Sequence, residues 1–338
     1  MCNPTTRAFH DGIILSILLL MGVLLPAIHG SEFDRALSDS DGIESGSGVT
    51  GTTSPGSLGY KDAVVLGVVE GLTEYLPVSS TGHLILADQI LLPASQRPLD
   101  PEIQSARNSY LIMIQGGAIL AVLILYWKRI QSIMRGCFGR DPAGWRLGIR
   151  ILVAFVPSAT LGLLFQDWLE AHLFHPRAVA LALLFGAFLM LFVEWKYRLK
   201  IPSRSIERPD DLEHLSLRQA LVIGCFQCLA LWPGMSRSMS TIVGAYWVGL
   251  RPAASAEFSF LLGLLTLSAA SVWSLVQARA TVWTHLSPGP SITGAIIAMV
   301  VAMIAVHWFV SFLCRHGLAW FAVYRIILGI AVLTSVSL

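Results

Sequence analysis

Charge is scarce in this sequence. Lys and Arg number 23 and Asp and Glu 21 among 338 residues, so charged residues make up 13%, about half the roughly 25% of a soluble domain. With 54% hydrophobic residues and a mean hydropathy of +0.67, too little polar surface is left to face water, which excludes an ordinary soluble fold. The formal net charge of +2 supplies no bulk field to attract a polyanion, so a nucleic-acid partner is excluded as well. Cysteine is sparse: Cys2, Cys137, Cys225, Cys228 and Cys314 are odd in number and widely scattered, which excludes a disulfide framework. Cys225 and Cys228 form a C-x-x-C inside an apolar run, without the polar access of a redox pair or the further ligands of a zinc site. They are expected as small buried residues.

What the chain has instead is apolar segments in series. Residues 1–30 carry Arg7 and His10 before an apolar run and small residues near Ala27 and Gly30, the pattern of a signal peptide or of an N-terminal anchor helix. Residues 31–59, rich in Ser and Gly, cannot bury a core and read as a disordered tether. From Tyr60 to the end a membrane domain is expected, residues 60–338. Segments 111–127, 147–165, 178–195, 255–276, 292–313 and 318–336 are apolar and near the ~20 residues that cross a bilayer. Basic residues cluster after Trp127 (Lys128, Arg129, Arg135, Arg140, Arg146, Arg150) and after Trp195 (Lys196, Arg198, Lys200, Arg204, Arg208, Arg218), which places both stretches on the cytoplasmic side.

Two further apolar segments, 63–92 and 220–250, are interrupted by Pro and by Ser, Thr and Gly, and they resemble each other. Gly67, Glu70 and Leu72 match Gly224, Gln227 and Leu229; with a one-residue gap, Pro77 matches Pro233 and Ser80 matches Ser236. Broken helices at corresponding places in two halves point to a site between inverted repeats, and irregular backbone survives at membrane depth only where it is buried or lines a cavity. The expected fold is therefore all-α: a polytopic membrane helix bundle with two inverted repeats containing re-entrant helices.

Chemistry-bearing residues collect in these breaks. Glu70 and Glu74 share one helix face, and two carboxylates in an apolar segment persist mainly where they bind a cation, share a proton or meet a basic partner. Ser79, Ser80, Thr81 and His83 follow in a polar turn that can offer hydroxyls and backbone N–H groups to an anion, with His83 as acid, base or orienter. In the second break Ser236, Arg237, Ser238 and Thr241 combine an obligate cation with hydroxyls, a set suited to phosphate oxygens. Facing each other, the two breaks make phosphoryl-transfer equipment inside a membrane, so the substrate needs both a phosphate and a lipid tail. A lipid-phosphate transporter or flippase would use the same Arg and hydroxyls, but passage alone has no use for a nucleophile beside acids. Glu257 is read as a helix-start carboxylate, and Tyr324 and Arg325 as interface anchors.

The strings V-V-E-G-L-T-E-Y-L-P-V-S-S-T-G-H and G-C-F-Q-C-L-A-L-W-P-G-M-S-R-S, with A-x-E-F-S-F-L-L at 254–262 and A-V-Y-R at 322–325, resemble the signatures of the undecaprenyl-diphosphate phosphatases, the bacitracin-resistance phosphatases. The resemblance covers the chain from about Tyr60 onward. It implies a multi-pass enzyme of the bacterial inner membrane with its site toward the periplasm. The enzyme would hydrolyse undecaprenyl pyrophosphate to the monophosphate carrier of peptidoglycan synthesis. It also implies Glu70 and Glu74 as a catalytic and metal-binding pair for Mg²⁺ or Ca²⁺, Ser80 as nucleophile, His83 as catalytic histidine, and Ser236, Arg237 and Thr241 as the phosphate-binding turn. A homodimer is compatible with it. Met239 departs from the family pattern, which has Gly there; Met would strain the turn if that position needs positive φ and is harmless if it begins the next helix.

Overall fold

The two proline-containing breaks divide the chain, and the helices around them are arranged to bring the breaks together. A computed structural model describes residues 59–91, 101–200, 211–277 and 288–336; the expected leader, and the tether apart from Gly59, lie outside the described residues. Among the described residues there are eleven α-helices, two short 3-10 turns and no strand. In chain order the helices are α1 (Tyr60–Thr73), α2 (Ser80–Leu91), α3 (Pro101–Leu125), α4 (Trp127–Cys137), α5 (Pro142–Leu173), α6 (Pro176–Lys200), α7 (Leu217–Gln227), α8 (Arg237–Trp247), α9 (Pro252–Gln277), α10 (Pro288–His316) and α11 (Ala319–Val336). The expected interruptions appear as the α1–α2 and α7–α8 breaks.

Four helices, in α5, α6, α9 and α10, are long and apolar enough to cross a membrane. The segment expected at 111–127 is the end of α3, and at Tyr126 the chain bends by 79° into α4. Of the basic stretch after Trp127, Lys128, Arg129 and Arg135 thus lie on α4, and Arg146 and Arg150 on α5. α4 is tied down by Arg129, whose Nε donates to Glu257 on α9 at 2.7 Å. Glu257 therefore serves as the partner of α4 and not as a helix-start carboxylate. Asp141 caps α5, its Oδ1 accepting from the N–H groups of Ala143 and Gly144. The Ser132 hydroxyl donating to its other oxygen, followed by those N–H groups, holds this carboxyl below the usual range. Cys225 is exposed and Cys228 half-buried, against the expectation that both are buried, because α7 shows that edge to the outside.

The repeats exchange partners. α1 packs chiefly on α10, from the second half, while α7 packs chiefly on α5, from the first; α6 and α11 pack on each other. Such an exchange is what two equivalent halves facing each other produce. Both crossings depend on the matched glycines. A Cβ added at Gly67 would lie 2.6 Å from the Gly294 carbonyl oxygen of α10, and one at Gly224 would lie 2.4 Å from that of Ala154 on α5. Backbone contact of this closeness is how helices associate where lipid removes the hydrophobic drive between them.

These contacts set two opposed expectations. Helix propensity favours Gly→Ala by about 1 kcal/mol, whereas overpacking against backbone costs about 1–3 kcal/mol. Gly67→Ala and Gly224→Ala are therefore predicted to lower the thermal unfolding midpoint in detergent. Gly116→Ala on α3, where a Cβ meets nothing within 4 Å, is predicted to leave it unchanged or raise it.

Candidate active site

Each break is a helix that stops, crosses a few residues of irregular chain and restarts just after a serine. In the first, Glu74 ends α1, its N–H donating to the Glu70 carbonyl, so the two carboxylates stand one turn apart on the same helix; Glu70 is 1% and Glu74 7% exposed. Pro77 interrupts the chain, and α2 begins at Ser80 after Ser79, which has φ 74°. The Ser79 Oγ accepts from the N–H of Gly82 at 3.4 Å. In the second, a 3-10 turn at Cys228–Leu231 leads through Pro233 and Gly234 to Ser236, which has φ 69° and accepts from the N–H of Met239 on its Oγ at 3.3 Å. Ser79 and Ser236 are the two positive-φ residues other than glycine among the described residues. Such backbone costs of order 1–3 kcal/mol and persists where the surroundings impose it. Met239 lies within α8 without positive φ, so its departure from glycine introduces no strain.

The matching strained caps correct the register of the repeat. Ser79, not Ser80, is the counterpart of Ser236, and the gap inferred from the prolines disappears. Counted without a gap from Gly67 and Gly224, Pro77 falls on Gly234, Ser80 on Arg237 and Glu74 on Leu231. Ser80 and Arg237 are thus the first residues of the two restarting helices.

Both reach the same carboxylate. The Ser80 hydroxyl donates to Glu74 Oε2 at 2.6 Å, and Arg237 Nη2 donates to Glu74 Oε1 at 3.2 Å. Arg237 Nη1 donates to the Ser259 carbonyl at 3.1 Å, and its guanidinium lies over the Tyr75 ring, 5.3 Å from the centroid. The Arg237 and Glu74 side chains are 9% and 6% exposed. Three polar atoms of this cluster, Glu70 Oε2, Tyr75 OH and Arg237 Nε, are buried without a protein partner. Buried polar atoms are nearly always satisfied by protein or ordered water, and three unsatisfied together give this cluster unused bonding capacity for water or a ligand.

The remaining sequence-nominated residues are placed differently. His83 does not bond Ser80: its Nδ1 meets the Ser79 carbonyl at 2.7 Å and its Nε2 the Tyr324 hydroxyl. Ser238 is fully buried and donates to the Leu76 carbonyl across the two breaks at 2.7 Å. Thr241 is also fully buried, bonding the Arg237 and Ser238 carbonyls and the Ser259 hydroxyl. These two hydroxyls fasten the turn rather than face its outside. Ser236 and Ser80 are partly exposed, and Thr81 is exposed. Arg325, expected at the membrane interface, is 0% exposed and donates to four backbone carbonyls, those of Pro77, Ala182, Leu183 and Gly234. Tyr75 was not singled out in the sequence, and Tyr324 and Arg325, read there as interface anchors, belong to the site's surroundings instead. The A-V-Y-R string was the available signal, but an Arg near the end of an apolar segment reads equally well as an anchor.

The family model described as Bacitracin resistance protein BacA matches residues 63–331. The chain belongs to this family. Similar proteins named undecaprenyl-diphosphatase come from Sorangium cellulosum (45% identical, over 80% of this chain and 85% of the relative), Bacillus subtilis (42%, over 80% and 96%) and Clostridium novyi (39%, over 80% and 93%). The matched residues contain both breaks and the A-V-Y-R string.

The strain at Ser79 gives a measurable consequence. At a cap Gly replaces Ser at a cost of a few tenths of a kcal/mol, and it tolerates positive φ, so Ser79→Gly is predicted to leave stability within about 1 kcal/mol. Ser79→Val, β-branched at positive φ and without a capping oxygen, is predicted to cost about 2 kcal/mol or more, read as a lowered unfolding midpoint.

Proposed function

We propose that this chain is a membrane-embedded hydrolase that removes the terminal phosphate of undecaprenyl pyrophosphate, leaving undecaprenyl phosphate and inorganic phosphate. The observation that carries the reading is the Glu74 carboxylate shared by a serine hydroxyl from one break and an arginine from the other. The names of the relatives supply the substrate. A transporter has no use for a hydroxyl already donating its proton to a carboxylate, so hydrolysis is the better reading.

In this mechanism Ser80 is the attacking hydroxyl and Glu74 Oε2, which already accepts its hydrogen bond, takes the proton. The Ser80 oxygen bonds to the terminal phosphorus as the bridging P–O bond breaks, and undecaprenyl phosphate leaves. Water then attacks the phosphoserine, releasing inorganic phosphate and restoring the hydroxyl, with a proton passing back through Glu74. Arg237 balances the charge on the phosphoryl oxygens, its unpartnered Nε being free to donate to them. Ser236, partly exposed beside Arg237, is the hydroxyl of the second turn best placed to join it, and the exposed Thr81 borders the first.

The acidic pair also suits a divalent cation. Glu70 Oε2 is a buried carboxylate oxygen with no protein partner, one turn from Glu74. Among the described residues no three His, Cys, Asp or Glu side chains converge. Mg²⁺ or Ca²⁺ would therefore take Glu70 and Glu74 from the protein and its other oxygens from water and phosphate. When bound, the ion would neutralise charge on the phosphate oxygens. The setting we propose is the bacterial cytoplasmic membrane, with the basic α4 on the cytoplasmic side and the site open toward the periplasm.

Phosphate release from undecaprenyl pyrophosphate by the purified protein in detergent tests this reading. Release is expected with Mg²⁺ or Ca²⁺ present and is expected to stop with chelator. Arg237→Ala is predicted to lower kcat by about 10²–10³-fold, the usual effect of deleting one charge-stabilising donor. No release by folded protein supplied with metal, or full activity in both Glu70→Gln and Glu74→Gln, would refute the assignment.

A further inference from the structure

Arg325 is the largest fully buried side chain among the described residues. An Arg at membrane depth is costly and is held by an acid or by backbone carbonyls. Here its donors go to backbone carbonyls: Nε to Leu183 at 3.3 Å, Nη1 to Pro77 at 3.4 Å, and Nη2 to Ala182 and Gly234 at 3.2 and 3.0 Å. Leu183 and Ala182 belong to α6. Pro77 and Gly234 are the same position of the two repeats in the ungapped register, each two residues before its strained serine. One guanidinium therefore ties the two breaks to each other at equivalent points, and both to α6. The task needs several donors in a fixed fork, which Lys does not offer.

The neighbouring residue extends the same anchor to His83. Its Nδ1 lies 2.7 Å from the Ser79 carbonyl. A carbonyl has no proton to give, so Nδ1 carries the hydrogen; when the ring is neutral, Nε2 is then the acceptor for the Tyr324 hydroxyl. The two rings are parallel within 5°, with centroids 5.6 Å apart. Imidazole plane, rotation and tautomer are all set by these contacts.

We propose that Tyr324 and Arg325 are a positioning pair for the site: Arg325 fastens α11 to both breaks, and Tyr324, held by that anchor, fixes the ring and tautomer of His83. Neither touches the substrate. The proposal rests on the reading that the site cleaves a lipid pyrophosphate and assigns residues to it that act through others.

A double-mutant cycle on Tyr324→Phe and His83→Gln tests it, read both as kcat and KM for phosphate release and as the thermal unfolding midpoint. His83 holds the Ser79 carbonyl, next to the attacking Ser80, so Tyr324→Phe alone is expected to lower kcat about ten- to a hundredfold, the scale of a misplaced reacting group, with KM within about twofold. In the His83→Gln background it is expected to cause no further loss. Arg325→Lys is expected to lower kcat more than Tyr324→Phe does and to lower the unfolding midpoint. Wild-type kcat in folded Tyr324→Phe overturns the proposal, as does the same fold-loss in both backgrounds. The midpoint cycle decides the contact even if the wild type releases no phosphate, an outcome that would refute the functional reading separately. Coupling between the two substitutions supports the pair, and strictly additive shifts overturn it.

Discussion

One buried carboxylate holds the site together. Glu74 receives a hydroxyl from the first break and a guanidinium from the second, and both partners are the opening residues of helices restarting after strained serines. An ion pair so little exposed to solvent gains little net stability against an apolar alternative, yet removing one partner leaves an uncompensated charge at a cost of about 3–5 kcal/mol. The pair therefore acts less as a source of stability than as a fixed coordinate for Ser80 and Arg237. The close crossings at Gly67 and Gly224, the Ser238 bond to the Leu76 carbonyl and the Arg325 fork all keep the two helix starts within reach of it.

The repeat is symmetric in backbone and unequal in chemistry. Where the first half has Glu70, the second has Gln227, whose amide nitrogen is spent on the hydroxyls of Ser158 and Thr266. Opposite Glu74 stands Leu231, opposite Ser80 stands Arg237, and opposite His83 stands Ser240. One break thus contributes acids and a hydroxyl, and the other contributes the cation. A pair of identical breaks would place either two acidic sites or two basic ones face to face. Division of labour between equivalent positions gives one site with both signs of charge.

Much of this was legible in the sequence. Low charge, serial apolar segments and two interrupted ones sufficed for an all-α membrane bundle, and ionisable residues inside apolar segments sufficed to nominate Glu70, Glu74, His83 and Arg237, because burying such groups is too costly to be casual; Ser80 as the nucleophile came from the family resemblance. Register was harder. Matching the prolines forced a gap, since a proline is conspicuous in sequence, while the backbone feature that repeats is positive φ at serine, which composition does not announce. Roles that depend on contacts distant in the chain were not legible. Nothing local separates a partly exposed hydroxyl, as at Ser236, from one that staples the turn, as at Thr241. Nor does anything local separate an Arg anchored at an interface from Arg325, enclosed by carbonyls from three segments.

The central claim is that Ser80 and Arg237 act as a unit through Glu74. The most direct measurement is kcat for phosphate release in Ser80→Ala, Arg237→Ala and the double variant, each shown to be folded. Residues that act as a unit are strongly non-additive, so the account predicts that the double variant loses about as much activity as the more damaged single one. A double variant whose loss equals the product of the two single losses would mean that the two breaks contribute independently, and would contradict it.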